Sequence, residues 1–398
     1  MSTKELSQRM SRFSGSPTSA LRVRETELRR QGETVYSLSL GEPDFDTPNY
    51  VKVAGIKSIT DGFTKYTAGN GIYELREAIA NKLKRDNGID CTPDEICVST
   101  GAKQAVYSSL MVLCDTGDEV IIPIPCWVSY TEMVRLSGAT PILVPCKDDY
   151  SLDLDAIRNA VTPKTKAVII CSPNNPTGAV YSREMLEGLG RIIVENDLFV
   201  IADEIYEKLI YDGCKHISLA SLSDEIHERT ITINGFSKAY AMTGWRIGYV
   251  HARKDIIKAV MRLQSQITSS NCSISQKAAV EALNGPQDDV ERMVEEFYRR
   301  KQYVYKRIND MKGISCPEPK GAFYVLADVS DCIGKQNGEW KISSSADFSE
   351  YLLSAYKVST VPGEAFNIPE KIRIAYANSM NNLEIAMDRL EESLKALS

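Results

Sequence analysis

Between residues 119 and 250, short apolar runs alternate with stretches of helical pattern. The runs fall at residues 119–122, 141–144, 166–170, 198–201, 230–233 and 247–250. Each is close to continuously apolar, as a strand buried on both faces must be. Helical segments such as 183–195 lie between them. The pattern predicts an α/β fold with a mostly parallel sheet covered on both faces, in a domain from about residue 48 to about residue 285.

Beyond that point the pattern changes. A long polar helix with Glu291, Arg292, Glu295, Glu296, Arg299 and Arg300 leads into an alternating strand at 321–327. A loop rich in Gly, Asn and Ser is expected over 334–345, then a helix, a strand and a last helix near 381–397. This predicts a smaller α+β domain of residues 286–398, with the N-terminal segment 1–47 packed against it. The chain has no internal repeat, no low-complexity tract and no heptad pattern.

Composition narrows the class. At 398 residues the chain is too long for one ordinary core and suits two domains. It is 43% hydrophobic and 25% charged, as globular proteins are. A formal charge of −6 gives no general basic surface, so no nucleic-acid partner is expected. Met1-Ser2-Thr3-Lys4-Glu5-Leu6-Ser7-Gln8 has no apolar run, and nothing approaches the length of a membrane span. Those features point to the cytoplasm. So do the ten cysteines, which are scattered without a Cys-x-x-Cys pair and read as small buried residues in a reducing compartment. His216, His227 and His251 show no ligand spacing, so no metal is expected.

One string carries more chemistry than the rest: Ser237-Lys238-Ala239-Tyr240-Ala241-Met242-Thr243-Gly244-Trp245-Arg246, just past the run 230–233. An amine attacks a carbonyl only when deprotonated, and neighbouring positive charge lowers its pKa. Ser237 and Arg246 suit a phosphate, the arginine through a two-pronged charge-assisted contact. Lys238 therefore suits an imine to a phosphorylated aldehyde, of which pyridoxal 5'-phosphate is the natural example.

Other polar motifs fall at the carboxyl ends of the predicted strands, where open α/β sheets bind ligands. Gly101-Ala102-Lys103 opens a helix whose free N–H groups suit phosphate, or it forms an ordinary turn. Trp127 is placed to stack on a pyridine ring or to fill core. Asn175, on a loop stiffened by two prolines, offers an amide donor to a phenolate oxygen. Asp203 ends the run at 199–202, where a carboxylate needs a cation such as a protonated pyridine nitrogen. Tyr206 is three residues further on, within reach of the same ring's oxygen. Asp203-Glu204-Ile205-Tyr206 alone serves equally well as a helix N-cap. Arg373 alternates with Ile372 and Ile374. It is either an outward charge on an edge strand or a clamp for a substrate α-carboxylate.

Taken together these strings resemble the class I aminotransferases, in the aspartate aminotransferase group of fold type I pyridoxal-phosphate enzymes. The resemblance covers about residues 11–394. One departure is Ser172, which stands where the family string Asn-Pro-x-Asn-Pro-Thr-Gly begins with asparagine. The resemblance implies a large domain with a mixed, mostly parallel sheet between helices, and a smaller α+β domain. It implies that Lys238 holds the cofactor as a Schiff base, with Asp203 and Tyr206 as its catalytic partners on the ring. Gly101, Ala102, Lys103, Trp127, Asn175, Ser237 and Arg246 would complete the cofactor site. Tyr66 matches a tyrosine that reaches the phosphate of the neighbouring subunit, which implies a homodimer with shared sites. Arg373 matches the arginine that binds the substrate α-carboxylate, and Gly41 the glycine whose backbone lies near it. Trp127 and Asn175 border the same substrate.

Phe13-Ser14-Gly15-Ser16-Pro17-Thr18 and Gly101-Ala102-Lys103-Gln104 resemble the I-beta subgroup. There a lysine and a threonine at the positions of Lys103 and Thr18 bind the side-chain carboxylate. The implied reaction moves the amino group of L-aspartate to 2-oxoglutarate, giving oxaloacetate and L-glutamate. Prephenate or aromatic amino acids are rival substrates, and cysteine-conjugate β-lysis is a rival reaction on the same fold. A non-enzymatic rival is the aminotransferase-like domain of some transcription regulators. It needs a winged-helix module, for which the roughly forty residues before Gly41 are too few.

Overall fold

The computed structural model describes residues 7–11, 13–15 and 17–398, with residues 8, 9 and 17–19 described by backbone alone. The chain opens with α1 (Pro17–Arg30), the short β1 (Tyr36–Ser37), α2 (Asn49–Thr60) and α3 (Tyr73–Lys82). Strands and helices then alternate: β2 (Ile96–Ser99), α4 (Ala102–Leu113), β3 (Glu119–Ile124), α5 (Ser129–Ser137), β4 (Thr140–Pro145), α6 (Leu154–Asn159) and β5 (Thr165–Cys171). Next come α7 (Arg183–Glu195), β6 (Phe199–Asp203), α8 (Asp224–His227), β7 (Thr230–Gly235) and β8 (Gly248–His251). Helices α9 (Lys254–Ile267), α10 (Ser273–Asn284) and α11 (Asp288–Asp310) lead to β9 (Tyr324–Asp328). The chain ends with β10 (Gln336–Asn337), β11 (Trp340–Lys341), α12 (Ser345–Tyr356), β12 (Val358–Ser359), β13 (Val361–Pro362), β14 (Lys371–Ala375) and α13 (Met380–Lys395).

The seven-stranded sheet has the order β2-β8-β7-β6-β5-β3-β4. β8 runs antiparallel to β2 and β7, and every other neighbouring pair is parallel. Successive side chains of a strand point to opposite faces. Ile121, Val168, Ile170, Val200 and Ala202 accordingly enter one core, with Leu186, Leu189, Ile192 and Ile193 of α7. Val120, Ile122, Ala167, Ile169, Ile201, Ile231 and Ile233 enter the other. Burial on both faces is why these strands are apolar throughout; each buried Leu, Ile or Val side chain stabilises the fold by roughly 1.5–3 kcal/mol. Local signals set the helix starts. Ser182 caps α7 by accepting from the Met185 N–H at 3.3 Å, and Asp153 caps α6 through Ala156 N–H at 2.9 Å.

β9, β13 and β14 form a second, antiparallel sheet with β14 in the centre. Val325, Ala327, Ile372 and Ile374 pack into the core shared with Phe297 of α11, Leu352 of α12 and Leu390 of α13. Two expectations are corrected here. The strand begins at Tyr324, not 321, and it is buried from Tyr324 to Ala327, so neither face reads as polar. Within the expected loop 334–345, β10 and β11 pair as a small hairpin. The N-terminal segment reaches this region: β1 pairs in parallel with β12, and Leu28 and Val35 pack on Leu353.

Candidate active site

The order of the large sheet reverses between β3 and β5, and a crevice opens beyond the carboxyl ends of the strands at such a point. A cavity of ≈ 580 Å³ lies there, walled on the far side by residues of β9 and β14. Gly41, Ala102, Lys103, Trp127, Asn175, Asp203, Tyr206, Ser237, Lys238, Arg246 and Arg373 all line it. Residues up to 332 positions apart in sequence thus meet in one volume.

Lys238 follows β7 on a turn, and its Nζ donates to the Gly41 carbonyl. Enclosure in the protein is the largest influence on this amine and pushes it down to about 8. Glu42 and Asp203 pull it up, while Arg373 and Arg246 push it down. Nearby positive charge is therefore a secondary cause, where the sequence suggests it as the principal one.

Asp203 closes β6 and is buried. One carboxylate oxygen accepts from the Tyr130 hydroxyl at 2.7 Å and the other from the Ile205 N–H at 3.2 Å. Burial raises its pKa to about 6 despite those two bonds. A carboxylate so placed gains from a cation in the cavity, which would restore its charged form. No helix begins at Asp203, so the N-cap alternative falls away. The Tyr206 hydroxyl is 2.9 Å from that of Tyr324.

A phosphate-sized cradle lies at the start of α4. Gly101 sits at φ +81°, and a Cβ there would come within 2.8 Å of Arg246 Nη2. The glycine is therefore needed on both conformational and steric grounds. Arg246 rests its fork on main-chain oxygens, Nη1 on Thr243 at 2.8 Å and Nη2 on Thr100 at 3.4 Å. With the N–H groups at the start of α4 and the Ser237 hydroxyl, these donors suit a dianion.

Arg373 is 3% exposed and sits on the central strand, not on an edge. Its Nη1 donates to Asn175 Oδ1 at 3.0 Å and its Nη2 to the Ser39 carbonyl at 2.6 Å. Its Nε is buried and has no partner among the described residues. A buried unpaired donor beside a cavity fits a carboxylate ligand. Lys103 lies 4.9 Å from the Trp127 ring centre, and burial, then Arg246, lowers its pKa.

Two expected site residues stand apart. Tyr66 is 91% exposed and is not part of this cavity wall. Thr18 lies in the first turn of α1, and its side chain falls outside the described residues. Sequence reasoning missed Tyr130, Tyr324, Arg22, Glu42 and Thr243, which share the wall. Arg22 pairs with Glu42 at 3.0 Å, and Thr243 donates to the same carboxylate at 3.2 Å. It also missed a buried charge cluster behind β6. His216 Nε2 lies 3.0 Å from Glu204, and Lys82 pairs with Glu207 beside them. The cysteines are free, and Cys272 departs from the buried reading by being exposed.

Fold and site together define a pyridoxal-phosphate-dependent transferase of fold type I. A family model described as aminotransferase class I and II matches residues 33–390. The chain is 44% identical over 392 residues to an aspartate aminotransferase of Bacillus sp. (strain YM-2), covering 98% of this chain and 99% of that one. It is 44% identical over 397 residues to a probable aspartate/prephenate aminotransferase of Rickettsia felis, covering 99% and 97%. Among solved structures, the aspartate aminotransferase of Rhizobium meliloti superposes with a TM-score of 0.96 at 40% identity, over 99% of this chain and 100% of that one. That of Thermus thermophilus with maleate gives 0.92 at 41%, over 98% and 100%. The chain belongs to the class I and II aminotransferases.

Proposed function

We propose that this enzyme transfers the amino group of L-aspartate to 2-oxoglutarate, giving oxaloacetate and L-glutamate. One observation carries the choice of substrate: the cavity offers Arg373, with an Nε unpartnered among the described residues, and a further cation, Lys103, in addition to the arginine of the phosphate cradle. A cation facing a second carboxylate rewards dicarboxylic substrates and leaves apolar ones with an unmatched charge. The names of the relatives agree with this reading.

Pyridoxal phosphate supplies an aldehyde and a ring that takes up an electron pair. The chain's own groups supply the rest. Lys238 Nζ would hold the cofactor and, when freed, would move the proton at the substrate Cα. Asp203, oriented by Tyr130, would keep a proton on the ring nitrogen. Tyr206 and Asn175 would donate to the ring oxygen, and Trp127 would cover the ring. Ser237, Arg246, Gly101, Ala102 and the backbone of Lys103 would hold the phosphate. Arg373 would grip the α-carboxylate beside the Gly41 backbone, while Lys103 Nζ would hold the distal carboxylate.

We further propose a homodimer in which the partner subunit's Tyr66 reaches the phosphate. The support is an exposed apolar stripe on α2 (Val53, Ile56, Ile59) together with Tyr66 and Tyr73. The division into a large cofactor-binding domain, residues 48–285, and a small domain, 1–47 with 286–398, belongs to the same reading. Ten free cysteines favour the cytoplasm. A panel of amino donors with 2-oxoglutarate, and of prephenate and oxaloacetate as acceptors, tests the substrate. Aspartate should lead the donors; an aromatic donor or prephenate in front would replace this assignment with the second reading that the Rickettsia relative's name suggests.

A further inference from the structure

Tyr324 belongs to none of the strings that point to the cofactor, yet it touches three of the groups gathered in the cavity. Its hydroxyl lies 2.9 Å from that of Tyr206. Its ring centre lies 4.5 Å from the guanidinium carbon of Arg373. The same hydroxyl closes over Gly41, where an added Cβ would come within 2.6 Å of it. The Gly41 carbonyl is the one that accepts from Lys238. Tyr324 is buried, and β9 fixes it opposite Ala375 of β14.

Each phenol brings one proton, and the shared bond uses only the donor's. The donor is the more acidic of the two. Arg373 stabilises negative charge on Tyr324 from close range, opposing the burial that raises its pKa. For Tyr206, burial is likewise the largest cause and raises its pKa, and the Tyr324 contact adds to the rise. Arg373 acts on both phenols, but its guanidinium stacks on the Tyr324 ring at 4.5 Å, which favours the arrangement in which Tyr324 donates and Tyr206 accepts. The Tyr206 proton is then left to point into the cavity, and a donor that itself accepts a hydrogen bond is strengthened.

We propose that Tyr324 is a positioning residue that serves two functional groups at once. Its hydroxyl aims and strengthens Tyr206 as donor to the cofactor's ring oxygen. Its ring backs the guanidinium of Arg373 against the substrate carboxylate. This rests on the cofactor site proposed above. A weaker bond from Tyr206 leaves the ring oxygen more basic, so the proton on the cofactor-bound Lys238 nitrogen is held more tightly.

The test uses the holoenzyme with two variants, Tyr324→Phe and Tyr324→Leu. It reads two things besides turnover: the pH midpoint of the cofactor's visible absorption change, and the affinity for maleate, an unreactive dicarboxylate. Tyr324→Phe removes only the hydroxyl. Its midpoint should rise by about half a unit, roughly threefold in proton affinity, with maleate affinity near that of the wild type. Tyr324→Leu removes the ring too and should also weaken maleate binding about fivefold. A Tyr324→Phe midpoint that stays put or moves down overturns the hydroxyl's role. Unchanged maleate affinity in a folded Tyr324→Leu protein overturns the ring's role, and Tyr324→Met, which fills more of the space without a ring, takes its place if that variant does not fold. A wild-type protein that takes up no cofactor colour refutes the cofactor site itself, a distinct outcome.

Discussion

Replacing Arg373 by lysine keeps a positive charge in the cavity and removes the planar fork. The native guanidinium commits one donor to Asn175 at 3.0 Å and one to the Ser39 carbonyl at 2.6 Å. It lies between the rings of Tyr324 at 4.5 Å and Phe366 at 5.1 Å. Its Nε remains for a ligand. A lysine ammonium is a point charge on a flexible stem and cannot serve Asn175, Ser39 and a substrate carboxylate together. Removing one partner of a buried charge pair costs about 2–5 kcal/mol, and the retained charge places this change near the lower end, about 2–3 kcal/mol. That corresponds to a fall of about 30- to 150-fold in kcat/KM. The fall should be the same for aspartate and for alanine, because both present the same α-carboxylate. Steady-state kinetics with each donor and 2-oxoglutarate measures it. A fall below about threefold, or one confined to dicarboxylic donors, would refute the assignment of Arg373 to the α-carboxylate.

Lys103→Ala should do the reverse: kcat/KM for aspartate falls about tenfold or more, while that for an aromatic donor changes less than about twofold. Equal losses would remove Lys103 from the distal site. In cofactor-free protein, Lys238 titrates at about 8 where an unfolded lysine titrates at 10.5. The rate of pyridoxal phosphate uptake, which needs the neutral amine, should therefore climb with pH through about 8; a midpoint near 10 contradicts the enclosure of this amine. The unfolded chain binds more protons across that window, so Lys238 costs stability below it and the cost fades as pH rises from about 8 towards 10.5. Lys301 is 0% exposed and pairs with Glu318 at 2.7 Å and with Asp212. Lys301→Ala should lower the unfolding free energy by about 2–4 kcal/mol in denaturant titration, since both carboxylates keep some access to water. A loss under about 1 kcal/mol would show the pair to be solvent-screened.

The large sheet is legible in the sequence because burial on both faces forces continuous apolar runs, and those runs coincide with β3 to β8 to within a residue or two. α7 is legible because Ser182 marks its start and its apolar residues recur along one face. Most of the motif residues are legible because their chemistry clusters near strand ends, and the cavity gathers eleven of them, Tyr66 standing apart. What the sequence does not reveal are contacts made across the cavity. Tyr130 and Tyr324 are phenols in apolar surroundings, with no spacing that separates them from core. Tyr206 and Tyr324 meet across 118 positions. The central place of β14 depends on β13 and β9, and a five-residue alternating stretch reads equally well as an edge. The balance of charges on Lys238 is likewise a matter of distance and enclosure, which residue order does not record.

The proposed chemistry depends on one amine. Incubating the protein with pyridoxal 5'-phosphate, reducing with borohydride and mapping the labelled peptide by mass spectrometry tests it most directly. The label should sit on Lys238 in stoichiometric amount, and Lys238→Ala should take none and transfer no amino groups. A label on another lysine, or transamination that survives in Lys238→Ala, would show that Lys238 is not the cofactor's anchor.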